Sequence, residues 1–171
     1  MQKLTRLGDV FFQRDVLEVA PDLIGKTLVR KFADGTISRY KIIETEAYRG
    51  AEDLACHASK GLTPRTEVMY HNGGKIYVYL IYGMYQMLNF VTADENNPQA
   101  VLIRGIEGFI GPGKLTKHLQ IDKSFYGEDL AISERIWVES DGTNHNYQTG
   151  TRIGIDYAGE WKDKPWRFIL S

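Results

Sequence analysis

Two glutamates and a tyrosine that alternate along one predicted strand offer carboxylate chemistry. A period of two places Glu44, Glu46 and Tyr48 on one face of a strand over residues 36–48, together with Ile42. Glutamate is unfavourable in strands and is rarely buried, so the pair needs a structural or chemical reason. A carboxylate beside aromatic rings is typical of enzymes that cleave glycosidic bonds, in which the acid activates water and the rings hold a flat ligand.

A tyrosine-rich run at residues 77–85 is the second candidate. Alternation places Tyr77 and Tyr79 on one face of a strand, and Val78 with Leu80 on the other. A buried tyrosine hydroxyl needs a polar partner. The run therefore predicts either a sheet interior with satisfied hydroxyls or an aromatic surface for a flat, polar ligand.

A glycine-rich segment at residues 111–119 predicts a short helix that carries Lys114 and Lys117 near its start. Such a start is a natural phosphate site, although the lysines could also form a solvated face. The chain has neither P-loop spacing nor a Gly-x-Ser-x-Gly elbow. The histidines lack metal-ligand spacing, so we expect no metal site. They are His57, His71, His118 and His145.

Composition bounds the class of protein. The chain has 171 residues, 43% of them apolar, and no low-complexity tract, which predicts one domain over residues 1–171. A net charge of −1 gives no support for a polyanionic partner, so binding to one requires a local basic patch. Cys56 is the only cysteine, no apolar run reaches membrane-spanning length, and the N-terminus lacks a secretory pattern. We therefore expect a cytoplasmic protein.

Local signals predict short helices among hairpin-linked strands. Asp15 caps a helix that Pro21 bends and Gly25 ends, and a turn at residues 33–35 joins two strands. This pattern predicts a mixed α/β (α+β) fold, with a curved, largely antiparallel sheet and surrounding short helices. Further helices are predicted over residues 51–58, with His57 near the end, and 63–72, and further strands over residues 26–32, 77–82, 85–91, 100–106, 136–139, 152–157 and 166–170.

Six motifs follow one another along the chain. They are Glu44-Thr45-Glu46-Ala47-Tyr48, Glu52-Asp53-x-Ala55-x-His57, Thr63-Pro64-Arg65, Tyr77-Val78-Tyr79-Leu80-Ile81-Tyr82-Gly83-Met84-Tyr85 with Asn89, Val101-Leu102-Ile103-Arg104 and Gly111-Pro112-Gly113-Lys114-Leu115. In this order they closely resemble the alkyladenine DNA glycosylase family, the mammalian-type 3-methyladenine DNA glycosylases. The resemblance covers nearly the whole chain, and it implies a single-domain mixed α/β fold without metal or cofactor.

The resemblance implies a role for each residue of a base pocket. Glu46 matches the general base that activates water for attack at the sugar carbon. Tyr48 and Tyr79 match the rings that sandwich the flipped base. His57 matches the group that hydrogen-bonds the base, and Asn89 matches the residue that disfavours guanine through its exocyclic amine.

The resemblance also implies contacts with double-stranded DNA that contains damaged purines. Tyr82 matches the residue wedged through the minor groove into the gap that the base leaves, which requires a turn at Gly83. Arg104 matches a contact at the phosphate side of the flipped nucleotide, and Lys114 and Lys117 are expected to bind phosphates. We expect a monomer, located in the cytoplasm or, in a eukaryote, in the nucleus.

The leading interpretation is a monofunctional DNA glycosylase that excises alkylated or deaminated purines of the 3-methyladenine, 7-methylguanine and hypoxanthine type without strand cleavage. Glu44 is expected to be structural, and Tyr77 and Tyr85 are expected in the core. A non-catalytic module that binds damaged nucleic acid is an alternative. A carbohydrate hydrolase that uses Glu44 and Glu46 is another, because alternate residues on a strand can approach the carboxyl spacing of about 5 Å or more that such enzymes need.

Overall fold

Ten strands, three short α-helices and four 3-10 helices make up the fold, and the computed structural model describes residues 3–171. Met1 and Gln2, with which the predicted domain begins, lie outside the described residues. The strands are β1 (Thr5–Arg6), β2 (Thr27–Lys31), β3 (Ile37–Arg49), β4 (Ile76–Ile81), β5 (Tyr85–Thr92), β6 (Gln99–Ile106), β7 (Phe109–Ile110), β8 (Ile136–Ser140), β9 (Tyr147–Gly150) and β10 (Arg167–Leu170). The helices are α1 (Asp9–Phe12), α2 (Val16–Asp22) and α3 (Pro112–His118), with 3-10 helices at His57–Lys60, Glu67–Tyr70, Lys123–Phe125 and Asp156–Asp163.

The paired strands form one open sheet in the order β1-β8-β2-β3-β6-β5-β4, to which β10, β9 and β7 add at the side. The strand pairs are antiparallel. The second half of β3 lies between β6 and β10, so Glu46 is opposite Leu102 on one side and Arg167 on the other. The predicted α+β class with a largely antiparallel sheet is confirmed, although the sheet is uncurled rather than curved.

A bulge in β3 changes which residues share a face. The register with β6 shifts between Ile42 and Glu44 and again between Glu44 and Thr45. An extra residue in one strand reverses the alternation beyond it. In a regular strand Ile42 and Ala47 would lie on opposite faces, but with the bulge both are buried in the main core. The predicted place of Ile42 beside Glu44 is therefore wrong. Sequence alternation alone carries no signal for such a bulge.

The main core packs α2 and α3 against the sheet. The predicted N-cap is confirmed, because the Asp15 side chain accepts a hydrogen bond from the Leu17 N–H at 2.8 Å. Val16 and Val19 of α2 and Leu115 of α3 are fully buried in this core. A second, smaller core lies beneath the tyrosine-rich strand β4 and contains Tyr77, so the predicted burial of Tyr77 is confirmed, although this residue also lines the inner cavity of the candidate site. This second core supports the candidate site.

The β4–β5 hairpin changes direction at the predicted place. Tyr82 and Gly83 have φ values of 52° and 66°, and Ile81 pairs with Tyr85. Positive φ at consecutive turn residues suits the twist of a tight hairpin. The turn at Gly83 is confirmed, whereas Tyr85 is 44% exposed and the prediction that it lies in the core is wrong.

Three regions differ from the sequence-based expectation. The predicted helix over residues 51–58 is replaced by turns, and a 3-10 helix begins at His57 rather than ending near it. The predicted helix over residues 63–72 is reduced to one short 3-10 helix at Glu67–Tyr70. The predicted strand over residues 152–157 is wrong, because β9 ends at Gly150 and a 3-10 helix begins at Asp156. Local propensity is a weak guide in such segments, where long-range polar contacts decide the conformation.

Among residues 3–171, no helix is long and apolar enough to cross a membrane.

Candidate active site

An inner cavity and an outer groove meet at the tyrosine-rich face of the sheet. The inner cavity has an empty volume of about 240 Å³ and the groove one of about 1070 Å³, and both volumes include open solvent. Four residues line both: Tyr48, Ala55, His57 and Tyr79. A concave site of this kind, with few polar groups among aromatic rings, is typical of small-molecule recognition.

Glu46 is a fully buried carboxylate beside this site. Its Oε1 accepts a hydrogen bond from the Tyr48 hydroxyl at 2.8 Å, and its Oε2 accepts one from the Ile153 N–H at 2.7 Å. Burial raises the pKa of Glu46, while Arg104, the Ile153 N–H and the Tyr48 hydroxyl act in the opposite direction. A carboxylate whose pKa is raised by burial is a better proton acceptor than an exposed one.

Glu44 has a different environment on the same face. Its Oε2 accepts hydrogen bonds from Arg104 Nε at 3.0 Å and from Arg167 Nη1 at 3.3 Å. Arg104 also lies 3.9 Å from Oε2 of Glu46 and lines the outer groove. Glu44 thus serves as an ion-pair partner that orients two arginines, which agrees with the structural role expected for it and gives no support to a two-carboxylate sugar hydrolase.

Tyr48 and Tyr79 form two walls of the site, and each ring has an arginine over it. The guanidinium carbon of Arg152 lies 5.0 Å from the Tyr48 ring centroid, and that of Arg65 lies 5.1 Å from the Tyr79 centroid. Arg152 is fully buried and lines neither cavity nor groove, while Arg65 is exposed in a separate groove. Both tyrosines line the inner cavity and the outer groove, where aromatic rings suit a planar ligand.

His57 and Asn89 provide the polar groups of the inner cavity. His57 Nδ1 lies 2.8 Å from the Tyr77 hydroxyl, and its ring centroid lies 4.3 Å from that of Tyr79. Burial, with a smaller effect from Arg65, lowers the pKa of His57 to about 4, so the imidazole is neutral at pH 7. Asn89 is buried and donates from Nδ2 to the carbonyls of Tyr77 and Met87. These bonds leave its Oδ1 free to act as an acceptor.

Tyr82 stands at the tip of the β4–β5 hairpin and is 87% exposed at the rim of the outer groove. The hairpin packs against α3 next to its turn, where a Cβ on Gly113 would lie 2.7 Å from the Tyr85 ring. Lys114 and Lys117 are exposed on α3 and lie outside the inner cavity and the outer groove, and Lys117 lines the neighbouring groove beside Tyr85. The structure therefore separates the predicted residues into a pocket group and a surface group.

Three residues of the site were not found from the sequence: Asp53, Arg152 and Ile153. Asp53 and Arg152 form a buried ion pair behind Tyr48, and Ile153 holds Glu46 through its main chain. The only signal was the presence of Asp53 in one of the six motifs. A main-chain donor such as Ile153 leaves no trace in residue type, so only the fold reveals it.

Comparison with known proteins gives a consistent result. A family model described as methylpurine-DNA glycosylase matches residues 10–110 and 109–171. A protein of Psychrobacter cryohalolentis is 45% identical over an alignment of 190 positions, which covers 94% of this chain and 90% of the relative. A protein of Methanocella arvoryzae is 45% identical with 92% and 88% coverage, and one of Bacillus subtilis is 42% identical with 94% and 91% coverage. Each of the three is provisionally named a 3-methyladenine DNA glycosylase.

Proposed function

The chain belongs to the methylpurine-DNA glycosylase family, and we propose that it hydrolyses the N-glycosidic bond of methylated purines in duplex DNA. The observation that carries this proposal is the fully buried Glu46 carboxylate, which is bonded to Tyr48 of the cavity wall and has its pKa raised by burial. Glu46 would accept a proton from the attacking water molecule.

In the proposed reaction, water attacks the sugar carbon while the bond to the purine nitrogen breaks. Glu46 takes the proton of the attacking water, and the bonding electrons leave with the base. Methylation at a ring nitrogen gives the purine a positive charge, so its departure needs little help from an acid. No lysine is among the residues that line the inner cavity or the outer groove in the described part of the chain, which supports hydrolysis without a Schiff base and without strand cleavage.

The flipped base would lie between Tyr48 and Tyr79. Stacking on two rings is tolerant of purine type, which supports activity on 3-methyladenine, 7-methylguanine and hypoxanthine. The neutral His57 would hydrogen-bond the base, with its Nδ1 occupied by the Tyr77 hydroxyl. The buried Asn89 side chain would disfavour unmodified guanine through its exocyclic amine.

Contacts outside the pocket would hold the duplex. Tyr82, exposed on a hairpin braced against α3, would fill the gap left by the flipped base and offset part of the few kcal/mol that flipping costs. Arg104 would contact the phosphate side of the flipped nucleotide, and Lys114 and Lys117 would bind phosphates further along the strand. We propose that the chain does this as one domain and as a monomer, without a metal or cofactor.

Base release from damaged DNA tests the function. The protein is incubated with methylated duplex DNA, and the products are separated by chromatography. We expect free 3-methyladenine and 7-methylguanine and a strand that remains intact until the abasic site is cleaved by alkali. Tight binding without release of free base would contradict the proposal and support the non-catalytic alternative.

A further inference from the structure

A buried ion pair lies directly behind the candidate pocket. The side chains of Asp53 and Arg152 are both fully buried, and they bond in a bidentate manner, with Nη1 to Oδ2 at 2.6 Å and Nη2 to Oδ1 at 3.0 Å. Removing two charges from water is costly and is recovered only when the geometry is good and the remaining polar atoms are satisfied. A pair of this kind is therefore expected to serve a purpose other than stability alone.

The hydrogen bonds of the pair connect the backbone on both sides of Tyr48. Arg152 Nη1 donates to the Ala47 carbonyl at 2.9 Å, and the Arg49 N–H donates to Asp53 at 3.0 Å. The carboxylate also accepts the Ala55 N–H at 3.0 Å, which holds a residue of the cavity wall. The ion pair thus fixes the end of β3 against the loop that follows it.

The guanidinium group of Arg152 also fixes aromatic rings. It lies 5.0 Å from the ring centroid of Tyr48 and 5.0 Å from that of Trp166, so it is packed between the two. Because Arg152 is fully buried and lines neither cavity nor groove, it occupies the side of Tyr48 that faces away from the ligand space. Stacking of this kind restricts the tilt of the Tyr48 ring.

The residue after Arg152 is the one that holds the carboxylate. The Ile153 N–H donates to Glu46 Oε2 at 2.7 Å, while the Ile153 side chain is 50% exposed. The position of this N–H therefore depends on the anchor that precedes it. A second anchor is the bond from Arg152 Nη2 to the Trp161 carbonyl at 3.0 Å, which ties the same arginine to the 3-10 helix Asp156–Asp163.

We propose that Arg152, held by Asp53, is a positioning residue that keeps the Ile153 N–H on Glu46 and the Tyr48 ring parallel to the flipped purine. The part of this inference that concerns the purine rests on the proposed function. The part that concerns the Glu46 carboxylate rests on the geometry of the structure alone. Groups that orient catalytic side chains from behind typically contribute about 10- to 100-fold to activity when they are removed.

The charges around Glu46 determine what the loss of Arg152 should change. Glu46 faces Arg104 of β6, Tyr48 and Glu44 of β3, Tyr79 of β4 and, through Glu44, Arg167 of β10. Burial raises the pKa of Glu46, and both the Ile153 N–H and Arg152 counteract this rise. Loss of Arg152 removes one counteracting charge and loosens the N–H donor, so the pKa of Glu46 should rise further.

The test uses two variants of the ion pair. One carries Arg152→Met alone, and the other carries both Asp53→Asn and Arg152→Met, so that it leaves no unpaired buried charge. Arg152→Lys tests whether charge without the planar fork restores the wild-type behaviour. Arg30→Met is the matched control, because Arg30 is also buried and lies between two rings, 4.7 Å from Phe32 and 4.9 Å from Phe125, but outside the site. Circular dichroism gives the folded fraction at each pH.

Two readouts are measured, the pH dependence of the single-turnover rate and the titration of Glu46 by carboxyl-carbon NMR, assigned by its absence in Glu46→Gln. We expect both Arg152→Met variants to lower the rate per folded molecule by about 10- to 100-fold and to move the acidic limb and the NMR titration to higher pH. Arg152→Lys should recover part of both effects, and Arg30→Met should change neither.

A Glu46 titration in Arg152→Met that is identical to the wild type would overturn the inference. If the wild type releases no base, the proposed function fails, whereas the NMR titration still decides whether Arg152 positions the donor to Glu46.

Discussion

The Ile153 N–H donates to Glu46 Oε2 at 2.7 Å, although 107 residues separate the two along the chain. The Tyr48 hydroxyl binds the other carboxylate oxygen at 2.8 Å. Both oxygens are therefore oriented before any ligand arrives, and preorganisation of this kind lowers the cost of reaching the reactive geometry.

The pH dependence of the reaction follows from the environment of Glu46. Burial raises the pKa of this carboxyl above that of an ordinary glutamate, and only the ionised form can accept a proton. The single-turnover rate should fall as the pH decreases through this raised value, so the acidic limb should lie above the ordinary pKa of glutamate. Rates measured on methylated duplex DNA across the acidic range check this. A rate that increases toward low pH would show that Glu46 does not act as the base.

The same burial predicts that Glu46 reduces stability at neutral pH. Because the folded-state pKa is raised, the native state binds the proton more tightly than the unfolded state. The stabilising effect of the protonated form is complete below the ordinary pKa and is lost as the pH rises through the raised value. Glu46→Gln should therefore increase the free energy of unfolding at pH 7, and its advantage should shrink in acid. Urea unfolding at both pH values measures the difference. An advantage that is equal at both would contradict the assigned direction.

Tyr82 should matter for duplex DNA and not for single strands. Its ring is 87% exposed at the hairpin tip, where it can occupy the gap left by a flipped base. We expect Tyr82→Ala to reduce excision from duplex DNA about 10-fold or more while excision from a single strand changes little. Tyr82→Phe, which keeps the ring, is the matched control and should behave like the wild type. Equal losses on both substrates would indicate a structural role.

Lys114 and Lys117 should contribute to affinity but not to specificity. Both are exposed on α3, near the hairpin that carries Tyr82. Replacing each with Gln should weaken binding to damaged and intact duplexes by the same factor and reduce the salt slope by about 1 per lysine. Lys31→Gln, at an exposed position on β2, is the control and should leave the slope unchanged. A loss confined to damaged DNA would place the lysines in lesion recognition instead.

Much of the fold could be predicted from local signals. The Asp15 cap, the hairpin turn at residues 33–35 and the change of direction at Gly83 each depend on a few neighbouring residues, and the structure has all three. The bulge in β3 could not be predicted, since it arises from the pairing with β6. The conformation of residues 152–157 could not be predicted either, because it depends on the ion pair of Arg152 with a residue 99 positions away.

The candidate site, like the fold, could be predicted only in part from the sequence. Alternation along β3 could place Glu44, Glu46 and Tyr48 on one face, but it could not distinguish between the two glutamates. The structure distinguishes them, since Glu44 binds two arginines whereas Glu46 binds a hydroxyl and a main-chain N–H. Side-chain identity reveals candidate acids, whereas the partners that tune them come from distant segments and from the backbone.

The central claim is that Glu46 activates the water that releases the base, and the single-turnover rate of Glu46→Gln tests it most directly. Gln keeps the size of the side chain and can hydrogen-bond Tyr48 or Ile153, but it cannot accept the proton. We predict that the rate of base release from methylated duplex DNA falls by about 10²- to 10⁴-fold, while binding to DNA that contains an abasic site stays within about 3-fold of the wild type. A variant that releases the base at the wild-type rate would contradict the claim.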